Sequence, residues 1–438
     1  MSPRDYPDEL AAMLHSLDEL TNWEHRPRGA MVVGIAPVLD LLRRLDNPHH
    51  GFRTVHVTGT KGKGSVCALL EAALNEAGLS VGRYASPHLQ RVNERISIGC
   101  VAIADRQLVE AVGCALDAFR QARGAGTDGK TASWFDVVTA AAFVAFRDAG
   151  LDWVIVEVGL GGRLDSTNVI NAEVAVITNV ELEHTEVLGK TRAEIAREKG
   201  GILKRDATLI TTLTDADDAG KILHAEAQVL GCAVICVPPV PGFSIEESNA
   251  QLAGEVLNQL GYRGVLIRSE CGSGRPVGAW LLNSSVRSRA RLPGRLEQIV
   301  VHGKRLAPVS VVLDGAHVPF NLEAVLRDLT NREDLRGDCV AVVGMAADKD
   351  AAGLLLVLAR HATHLVFTEL PPPGHGLSCE TLQMVAASFG LSSETQVDLR
   401  AAMERGLLLA ARSGGWLLVT GSLRLVGAVR NLDGIAAS

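Results

Sequence analysis

A glycine-rich stretch, Thr54 to Ser65 (TVHVTGTKGKGS), has the residue types and spacing that most clearly indicate chemistry. An apolar run ends at Val57, glycines follow, and an Ala- and Leu-rich segment of helical character comes next. A glycine loop at a helix N-terminus directs backbone N–H groups towards phosphate, and Lys63 can add a full charge on the β- and γ-phosphates. The stretch therefore predicts a nucleoside triphosphate site formed by Gly59, Thr60, Lys61, Gly62, Lys63, Gly64 and Ser65.

The match to the general phosphate-loop pattern GxxxxGK[ST] is incomplete. Val57 stands where the first glycine would fall, and Gly64 stands where a Ser or Thr hydroxyl normally reaches magnesium. Either Ser65 supplies that hydroxyl or another loop brings the oxygen ligands. The alternative interpretation is a glycine-rich turn that binds no ligand.

Two further candidates follow apolar runs that are typical of buried parallel strands. Glu157 lies in the run DWVIVEV, residues 152–158, and a carboxylate there is costly unless it is paired or bound to a metal. His184 lies just past the run VAVITNV, residues 174–180. Ligands of a parallel α/β sheet bind outside the carboxyl ends of its strands. We therefore expect Glu157, His184 and the glycine-rich stretch to meet at one edge of a sheet.

The segment ASPHLQRVNERISIG, residues 85–99, is a polar loop punctuated by proline. It carries five hydrogen-bonding side chains, Ser86, His88, Asn93, Glu94 and Arg95. This density favours a binding loop over the alternative, a solvated connector.

Lys199 lies in the last turn of a predicted helix, TRAEIAREKGGILK. The helix begins with a capping box of Thr191 and Glu194, and it ends at Gly200 and Gly201. From the residues alone, Lys199 complements the partial negative charge of the helix C-terminus.

Length and composition narrow the class of protein. A chain of 438 residues exceeds one ordinary core and predicts two domains. The net charge of −7 argues against nucleic-acid binding, which requires a basic surface. The N-terminal residues do not form a basic segment followed by an apolar run, and no stretch of about 18 uncharged apolar residues occurs. We expect a cytoplasmic enzyme with no nucleic-acid or membrane partner.

The cysteines are scattered, which argues against a metal cluster and against cysteine catalysis. The one close pair, Cys232 and Cys236, lies in the apolar run CAVICV with no second pair or histidines at zinc spacing. We expect buried free thiols.

Apolar strand patterns alternate with helical ones and predict an α/β fold. We expect a doubly wound, mainly parallel sheet in a first domain and a smaller, Rossmann-like open sheet in a second. The proline-glycine junction LPGRLEQI, residues 292–299, predicts domains at 1–292 and 293–438. The segment GAGTDGK, residues 124–130, is expected to be a flexible surface turn.

Eight motifs in order resemble the folylpolyglutamate synthase and dihydrofolate synthase family of the Mur ligase superfamily. They are VTGTKGKGS, YASPHLQRVNERISIG, VIVEVGLGGRLDSTN, ITNVELEHTEVLGKTRAEIAREKGGILK, PGRLE, LDGAH, VGMAADKD and GSLRLVGAVR. The resemblance covers nearly the whole chain and is far more specific than the glycine loop alone.

The resemblance implies a Mur-ligase-like P-loop ATPase domain and a glutamate-ligase domain, which close over ATP with the PGR junction as hinge. It also implies ATP and Mg²⁺ as cofactors and L-glutamate with a folate or dihydropteroate as substrates. A carboxylate of the acceptor attacks the γ-phosphate, and the amino group of L-glutamate then attacks the acyl phosphate and expels phosphate. Family members are commonly monomers.

Residue roles follow from the same resemblance. Lys63, His184, Lys199 and His317 would be catalytic. Ser86 and Glu157 would bind magnesium, with Ser86 supplying the hydroxyl that Gly64 lacks, and His184 would bind a second ion. Lys199 would be carbamylated, which makes the cation a carboxylate that can face a metal and replaces the helix-dipole interpretation. The remaining implied contacts are Asn249, Arg295 and Asp314 with the nucleotide, His317 with the acyl phosphate, and Ser86, Pro87, His88 and Arg95 with the substrate.

The chain also departs from the family pattern. DGAHNP reads DGAHVP, so Val318 cannot make the hydrogen bonds of an asparagine. HQxxN reads IEESN, with Glu246 in place of glutamine, and WPGR reads LPGR. The segment between Leu230 and Asn249 is short, which indicates a lost hairpin. These departures spare the phosphate and metal groups but leave the acceptor open.

Two alternatives therefore stand beside the folate-linked ligase. One is a Mur-type amino-acid ligase for a different carboxylate-bearing small molecule. The other is a catalytically weak ATP-binding or regulatory protein, against which the charged residues Lys63, Glu157, His184 and Lys199 argue because fold stability does not require them.

Overall fold

A computed structural model describes residues 6–24, 31, 33–268, 274–302, 307–371 and 376–432. The chain forms two compact units, Met1–Ala290 and Arg291–Ser438. We propose that the LPGRLEQI junction connects the two domains. No helix among the described residues is both long and apolar enough to cross a membrane.

Unit 1 is built on a sheet in the strand order β4-β3-β2-β5-β1-β6-β7-β8. The strands from β2 to β8 in this order are parallel, and β3 and β4 add antiparallel pairs at one edge. The strands are β1 (Arg53–Thr58), β2 (Val81–Tyr84), β3 (Ile96–Ile98), β4 (Val101–Ala102), β5 (Trp153–Glu157), β6 (Val174–Ile177), β7 (Thr208–Thr211) and β8 (Ala233–Cys236).

Helices cover both faces of this sheet, which confirms the predicted doubly wound α/β fold. They are α1 (Tyr6–Asp18), α2 (Ala36–Arg44), α3 (Lys63–Glu76), α4 (Asp105–Ala125), α5 (Trp134–Asp148), α6 (Thr185–Leu188), α7 (Arg192–Gly200), α8 (Asp218–Leu230), α9 (Ile245–Tyr262) and α10 (Ser284–Arg289). Helices α1, α2, α4 and α5 form one apolar core with the sheet, and α7 and α8 form another with its β6 and β7 side. Helix α9 packs on α3.

The central strands β5 and β1 are buried along almost their whole length, as their continuous apolar runs predict. The predicted capping box of Thr191 is also confirmed, because its hydroxyl accepts from Glu194 N–H at 3.2 Å and the Glu194 carboxylate accepts from Thr191 N–H at 3.0 Å. This box fixes the start of α7 and hence the position of Lys199 at its other end.

Unit 2 is a smaller open sheet in the order β13-β12-β11-β14-β10-β9, parallel except for β9. Its strands are β9 (Glu297–Val301), β10 (Val309–Leu313), β11 (Cys339–Val343), β12 (Ala362–Phe367), β13 (Ser393–Thr395) and β14 (Trp416–Thr420). Its helices are α11 (Pro319–Thr330), α12 (Ala351–Leu358), α13 (Cys379–Ser388), α14 (Leu399–Ser413) and α15 (Leu423–Arg430). The predicted second α/β domain is confirmed.

Two expectations about local structure were wrong in part. The segment 124–130 is not a free turn, because α4 extends to Ala125, Gly129 is buried, and the Asp40 carboxylate accepts from Gly129 N–H at 2.9 Å. Not all thiols are buried, since Cys114 and Cys236 are exposed. Cys114 faces away from the core on an amphipathic helix, and Cys236 lies on the edge strand β8. Cys271 lies outside the described residues.

A buried histidine in β1 makes the stability of unit 1 depend on pH. His56 is fully buried, its Nε2 lies 2.9 Å from Thr167 Oγ1, and burial lowers the pKa of His56 to about 3. The unfolded chain binds a proton at this side chain near pH 6.5 and the folded chain does not, so the free energy of unfolding falls as the pH drops below that value. The slope is about 1.4 kcal/mol per pH unit.

Burial also lowers the pKa of His49 to about 4, so this second histidine adds a slope of the same sign. We expect His56→Gln to reduce the total slope of urea unfolding curves, measured between pH 7 and pH 5, by the contribution of one histidine. His15→Gln, at an exposed position on α1 in the same unit, is the matched control and should leave the slope unchanged. An unaltered slope in His56→Gln would show that His56 is not the group that takes up the proton.

Candidate active site

The glycine-rich loop lies between β1 and α3, as predicted. Gly62 precedes α3 with a left-handed backbone (φ 81°), and Lys63 begins the helix. The first turn of a helix leaves its N–H groups without intrahelical partners. The Lys63 ammonium donates to Gly59 O at 2.9 Å, so the lysine side chain folds back over the loop. A glycine loop at a helix N-terminus with a lysine over it can bind a phosphate.

The segment after β6 fastens this loop to the sheet. Asn179 Oδ1 accepts from the N–H groups of Thr60 and Lys61 at 3.0 and 2.8 Å, and the Thr178 hydroxyl donates to Lys61 O. Two of the predicted phosphate-contacting N–H groups are therefore already paired. The N–H groups that remain for a phosphate are those of residues 62–65, at the start of α3.

A substitution at Gly59 would test how tightly this loop is held. Its φ is 144°, and a Cβ atom at this position would lie 1.9 Å from Thr178 Oγ1. We expect Gly59→Ala to displace Thr178 and the loop, and to weaken ADP binding about tenfold or more, measured by isothermal titration calorimetry.

The matched control for this substitution is Gly150→Ala. Gly150 also has a positive φ of 62°, but nothing lies within 4 Å of its added Cβ. This variant should lose about 1 kcal/mol of stability and keep the wild-type ADP affinity. Equal ADP affinities in the two variants would contradict the tight contact at Gly59.

One narrow cavity brings together loops that are distant in sequence. It is lined by Thr58, Gly59, Lys63, Val158, Gly159, Leu160, Gly161, Glu183, His184 and Lys199. These residues come from the ends of β1 and β5, from the segment after β6, and from α7. His184 has a left-handed backbone (φ 47°), which is uncommon for a residue other than glycine and turns the chain into α6.

Lys199 is paired with a carboxylate inside this cavity. Its side chain is 1% exposed, and Nζ donates to Glu183 Oε1 at 2.9 Å. Burial lowers the pKa of Lys199, with Glu183 opposing and Lys63 adding to the effect. Burial raises the pKa of Glu183, but the charges of Lys199, Lys63 and His184 outweigh it and lower the pKa to about 2. Glu183 is thus an anion between two lysines.

Glu183 was not predicted as a site residue. In the sequence it is one of several acidic residues in ELEHTEV, and nothing separates it from Glu181 or Glu186. Its partner Lys199 lies sixteen residues away on α7, so the pair forms only in the folded chain.

Glu157, the last residue of β5, lies beside Ser86, which follows the end of β2 by two residues. The Glu157 side chain is 3% exposed, and among the described residues its carboxylate accepts a single, long hydrogen bond of 3.4 Å from Ser86 N–H. A buried carboxylate with so weak a partner is costly, and a cation would offset that cost.

The part of the chain that the structure describes does not supply a complete metal cage. Within the described ranges, no three His, Cys, Asp or Glu side chains are grouped to hold an ion. Mg²⁺ in nucleotide sites keeps several waters and binds one or two carboxylates together with phosphate oxygens. Glu157 and Ser86 therefore fit magnesium that is shared with a bound triphosphate.

The polar loop after β2 is built around Arg95. Its side chain is completely buried, Nε donates to His88 Nδ1 at 2.8 Å, and the other nitrogens donate to Glu24 at 3.0 and 2.6 Å. The guanidinium also stacks over Trp134, 4.7 Å from the ring centre. With its donors used in this way, Arg95 holds His88 and the N-terminal segment in place, while Pro87 is exposed at the loop surface.

The remaining predicted residues fall in both units. In unit 1, Asn249 lies next to the loop, because a Cβ on Gly62 would come within 2.5 Å of Asn249 Oδ1. In unit 2, Asp314 accepts from Leu296 N–H and Ala316 N–H, both at 2.9 Å, and so joins the two motifs PGRLE and LDGAH.

Two more of the predicted site residues lie next to this junction in unit 2. Arg295 is exposed next to Leu296, and His317 Nδ1 lies 2.9 Å from Gly315 O. Val318 precedes α11 without a side-chain cap, as its substitution for asparagine predicts.

Comparison with known proteins identifies the family. Residues 57–239 match the Mur ligase middle domain, and residues 294–423 match the glutamate ligase domain of Mur ligases. The dihydrofolate synthase/folylpolyglutamate synthase of Mycobacterium tuberculosis is 32% identical over 98% of this chain and 95% of its own length. The chain belongs to the folylpolyglutamate synthase and dihydrofolate synthase family of Mur ligases. It is an ATP-dependent ligase, as the motifs predicted.

Solved structures of folylpolyglutamate synthases share the fold. The Mycobacterium tuberculosis enzyme complexed with ADP and AMPPCP has a TM-score of 0.80 and 28% identity, covering 99% of this chain and 100% of that one. A bifunctional folylpolyglutamate synthase/dihydrofolate synthase with Mn, AMPPNP and L-glutamate bound has a TM-score of 0.75 and 27% identity, covering 96% and 97%.

Proposed function

We propose that this ligase adds L-glutamate to a folate, extending tetrahydrofolate, converting dihydropteroate to dihydrofolate, or both. The main observation in support is a cavity beside the glycine-rich loop. Its lining includes Lys63, Glu183, His184 and Lys199. In this cavity Lys63 would supply positive charge to a transferred phosphoryl group. The relatives that bind ADP, a metal ion and L-glutamate support the same assignment. We place the enzyme in the cytoplasm and expect a monomer.

The chain's own residues would divide the work of acyl-phosphate formation. Lys63 and the N–H groups at the start of α3 would bind the β- and γ-phosphates and hold the γ-phosphorus in line with the acceptor carboxylate. Asn249, next to Gly62, would contact the nucleotide. In unit 2, Arg295, Asp314 and His317 would contact the nucleotide and the acyl phosphate.

Magnesium would neutralise charge on the phosphates when bound. Ser86 and Glu157 would hold one ion, and the buried, weakly partnered carboxylate of Glu157 is the observation that supports this assignment. His184, which lines the cavity, would hold a second ion. Pro87, His88 and Arg95, the last through His88, would shape the acceptor site.

Lys199 would act as a carbamate. A neutral amine attacks carbon dioxide, forms a C–N bond and releases one proton, and the buried Lys199 has a lowered pKa that favours the neutral amine. The product carries a negative charge beside Glu183, so the two anions would need a metal ion between or beside them. This links carbamylation to the second metal site.

Phosphate release with a panel of acceptors tests the function. Purified enzyme is given ATP, Mg²⁺ and L-glutamate with dihydropteroate, tetrahydrofolate or its monoglutamylated forms, and products are identified by mass spectrometry. Release with dihydropteroate establishes dihydrofolate synthesis, and release with reduced folates alone marks a polyglutamylating enzyme. If the enzyme binds ATP but releases no phosphate with any acceptor of the panel, folates are rejected as substrates. That result would favour a Mur-type ligase for a different acid.

A further inference from the structure

A buried carboxylate connects three elements below the active site. Glu71, in the middle of α3, is 1% exposed. It accepts from Arg83 Nε on β2 at 2.7 Å, from Ser97 Oγ on β3 at 2.5 Å and from Cys100 N–H at 3.0 Å. In the sequence, Glu71 lies in a segment that has the pattern of an ordinary apolar helix. None of the roles proposed above for the site residues involves Glu71.

The strand register places Arg83 on the same face as Glu157. Arg83 lies beside Ile155, its lateral partner on β5, and lateral partners in a parallel sheet point to the same face. Glu157 follows Ile155 by two residues and therefore shares that face. The charges of Glu71 and Glu157 both raise the pKa of Arg83 against the effect of burial, which is consistent with a row of negative, positive and negative groups.

Both ends of this ion pair lead directly to the site. Helix α3, which carries Glu71, begins at Lys63 of the phosphate loop. Strand β2 ends one residue after Arg83, and Ser86 follows with its N–H directed to Glu157. The pair therefore sets the spacing between the phosphate loop and the two proposed magnesium ligands.

We propose that Arg83, held by Glu71, is a positioning residue that fixes Ser86 and Glu157 against the phosphate loop for binding of the metal–nucleotide complex. The inference rests on the proposed function, because it takes Ser86 and Glu157 as the metal ligands. A buried ion pair is not needed for stability, since well-packed neutral side chains of similar size often serve equally well. Its value lies in charge-assisted hydrogen bonds, which are stronger than those between neutral side chains and hold the paired groups in a fixed geometry.

The double variant Glu71→Gln/Arg83→Met tests this role, because it removes both charges of the ion pair together. We expect it to fold, with circular dichroism like that of the wild type. Its Mn²⁺ affinity in the presence of AMPPNP, measured by electron paramagnetic resonance, should fall about tenfold or more. The Mg²⁺ concentration for half-maximal phosphate release should rise by the same factor. A folded double variant with wild-type Mn²⁺ affinity overturns the proposal.

Arg83→Lys provides a second measurement that does not depend on the folding of the double variant. It keeps the charge but loses the fixed geometry of the guanidinium, so we expect a smaller loss of Mn²⁺ affinity, about threefold. Wild-type affinity in this variant would also overturn the proposal.

The matched control is Arg53→Met/Glu173→Gln. Arg53 Nε lies 2.5 Å from Glu173 Oε1, in the same sheet but at the amino end of β1, away from the site. This variant should keep the wild-type Mn²⁺ affinity, and an equal loss there would also overturn the proposal. Failure of the proposed function would instead appear as wild-type enzyme that releases no phosphate with any folate acceptor, while the Mn²⁺ measurement still decides the role of Arg83.

Discussion

Lys63→Ala is expected to lower the rate of ATP-dependent phosphate release about 10³-fold. Lys63 is the charged side chain at the start of α3, and its ammonium lies 2.9 Å from Gly59 O inside the loop. Charge that builds on the transferring phosphoryl group is stabilised by such preplaced donors, and removal of one typically costs 10² to 10³ in rate, with more lost when a full charge disappears.

Single-turnover phosphate release at saturating ATP measures this effect, because it isolates the chemical step from product release. Lys61→Ala is the matched control, since it removes the same charge two residues earlier while the backbone of Lys61 stays bonded to Asn179 and Thr178. We expect less than about tenfold loss there. Similar rates in the two variants would contradict the role given to Lys63.

Lys199→Ala is expected to lose at least about 10³-fold in kcat and to recover part of it in acetate. If the working form of Lys199 is a carbamate, the missing group is a carboxylate, and a small carboxylate can enter the space that the side chain leaves. Ammonium or guanidinium salts should not rescue the variant. The measurement is phosphate release against acetate concentration at constant ionic strength.

Lys204→Ala is the control for this rescue. Lys204 lies just beyond α7 and donates to Asn168 O and Oδ1 at 3.1 and 2.9 Å, outside the cavity. It should lose stability but keep kcat, and it should not respond to acetate. Rescue of Lys199→Ala by ammonium instead of acetate would mean that Lys199 works as a cation paired with Glu183, and would reject the carbamate.

Sequence reasoning succeeded where a signal was local and repeated. The apolar runs that end at Val57, Val158 and Val180 predicted the central strands. The rule that ligands bind beyond strand ends correctly placed the glycine-rich loop and His184 together. The eight motifs then supplied the family. Each of these inferences depends on residues that are neighbours in the chain.

The parts that were missed depend on contacts between distant residues. Asn179 pairs with the phosphate loop across 118 and 119 positions, and Glu71 finds Arg83, Ser97 and Cys100 only once α3 packs on β2 and β3. When an acidic residue lies in an apolar helix, nothing in the sequence indicates which residues it pairs with. The same limit applies to Arg95, whose burial under Trp134 could not be predicted from its place in a polar loop.

The fastening of the phosphate loop by Asn179 bears on how the loop exchanges its amide hydrogens. The N–H groups of Thr60 and Lys61 are bonded to Asn179 within the protein, so they should exchange slowly with deuterated solvent. The N–H groups at residues 62–65 lack such partners and should become protected only when ATP binds. Half of the loop is thus ordered in advance, and binding needs to immobilise only the half that faces the phosphates.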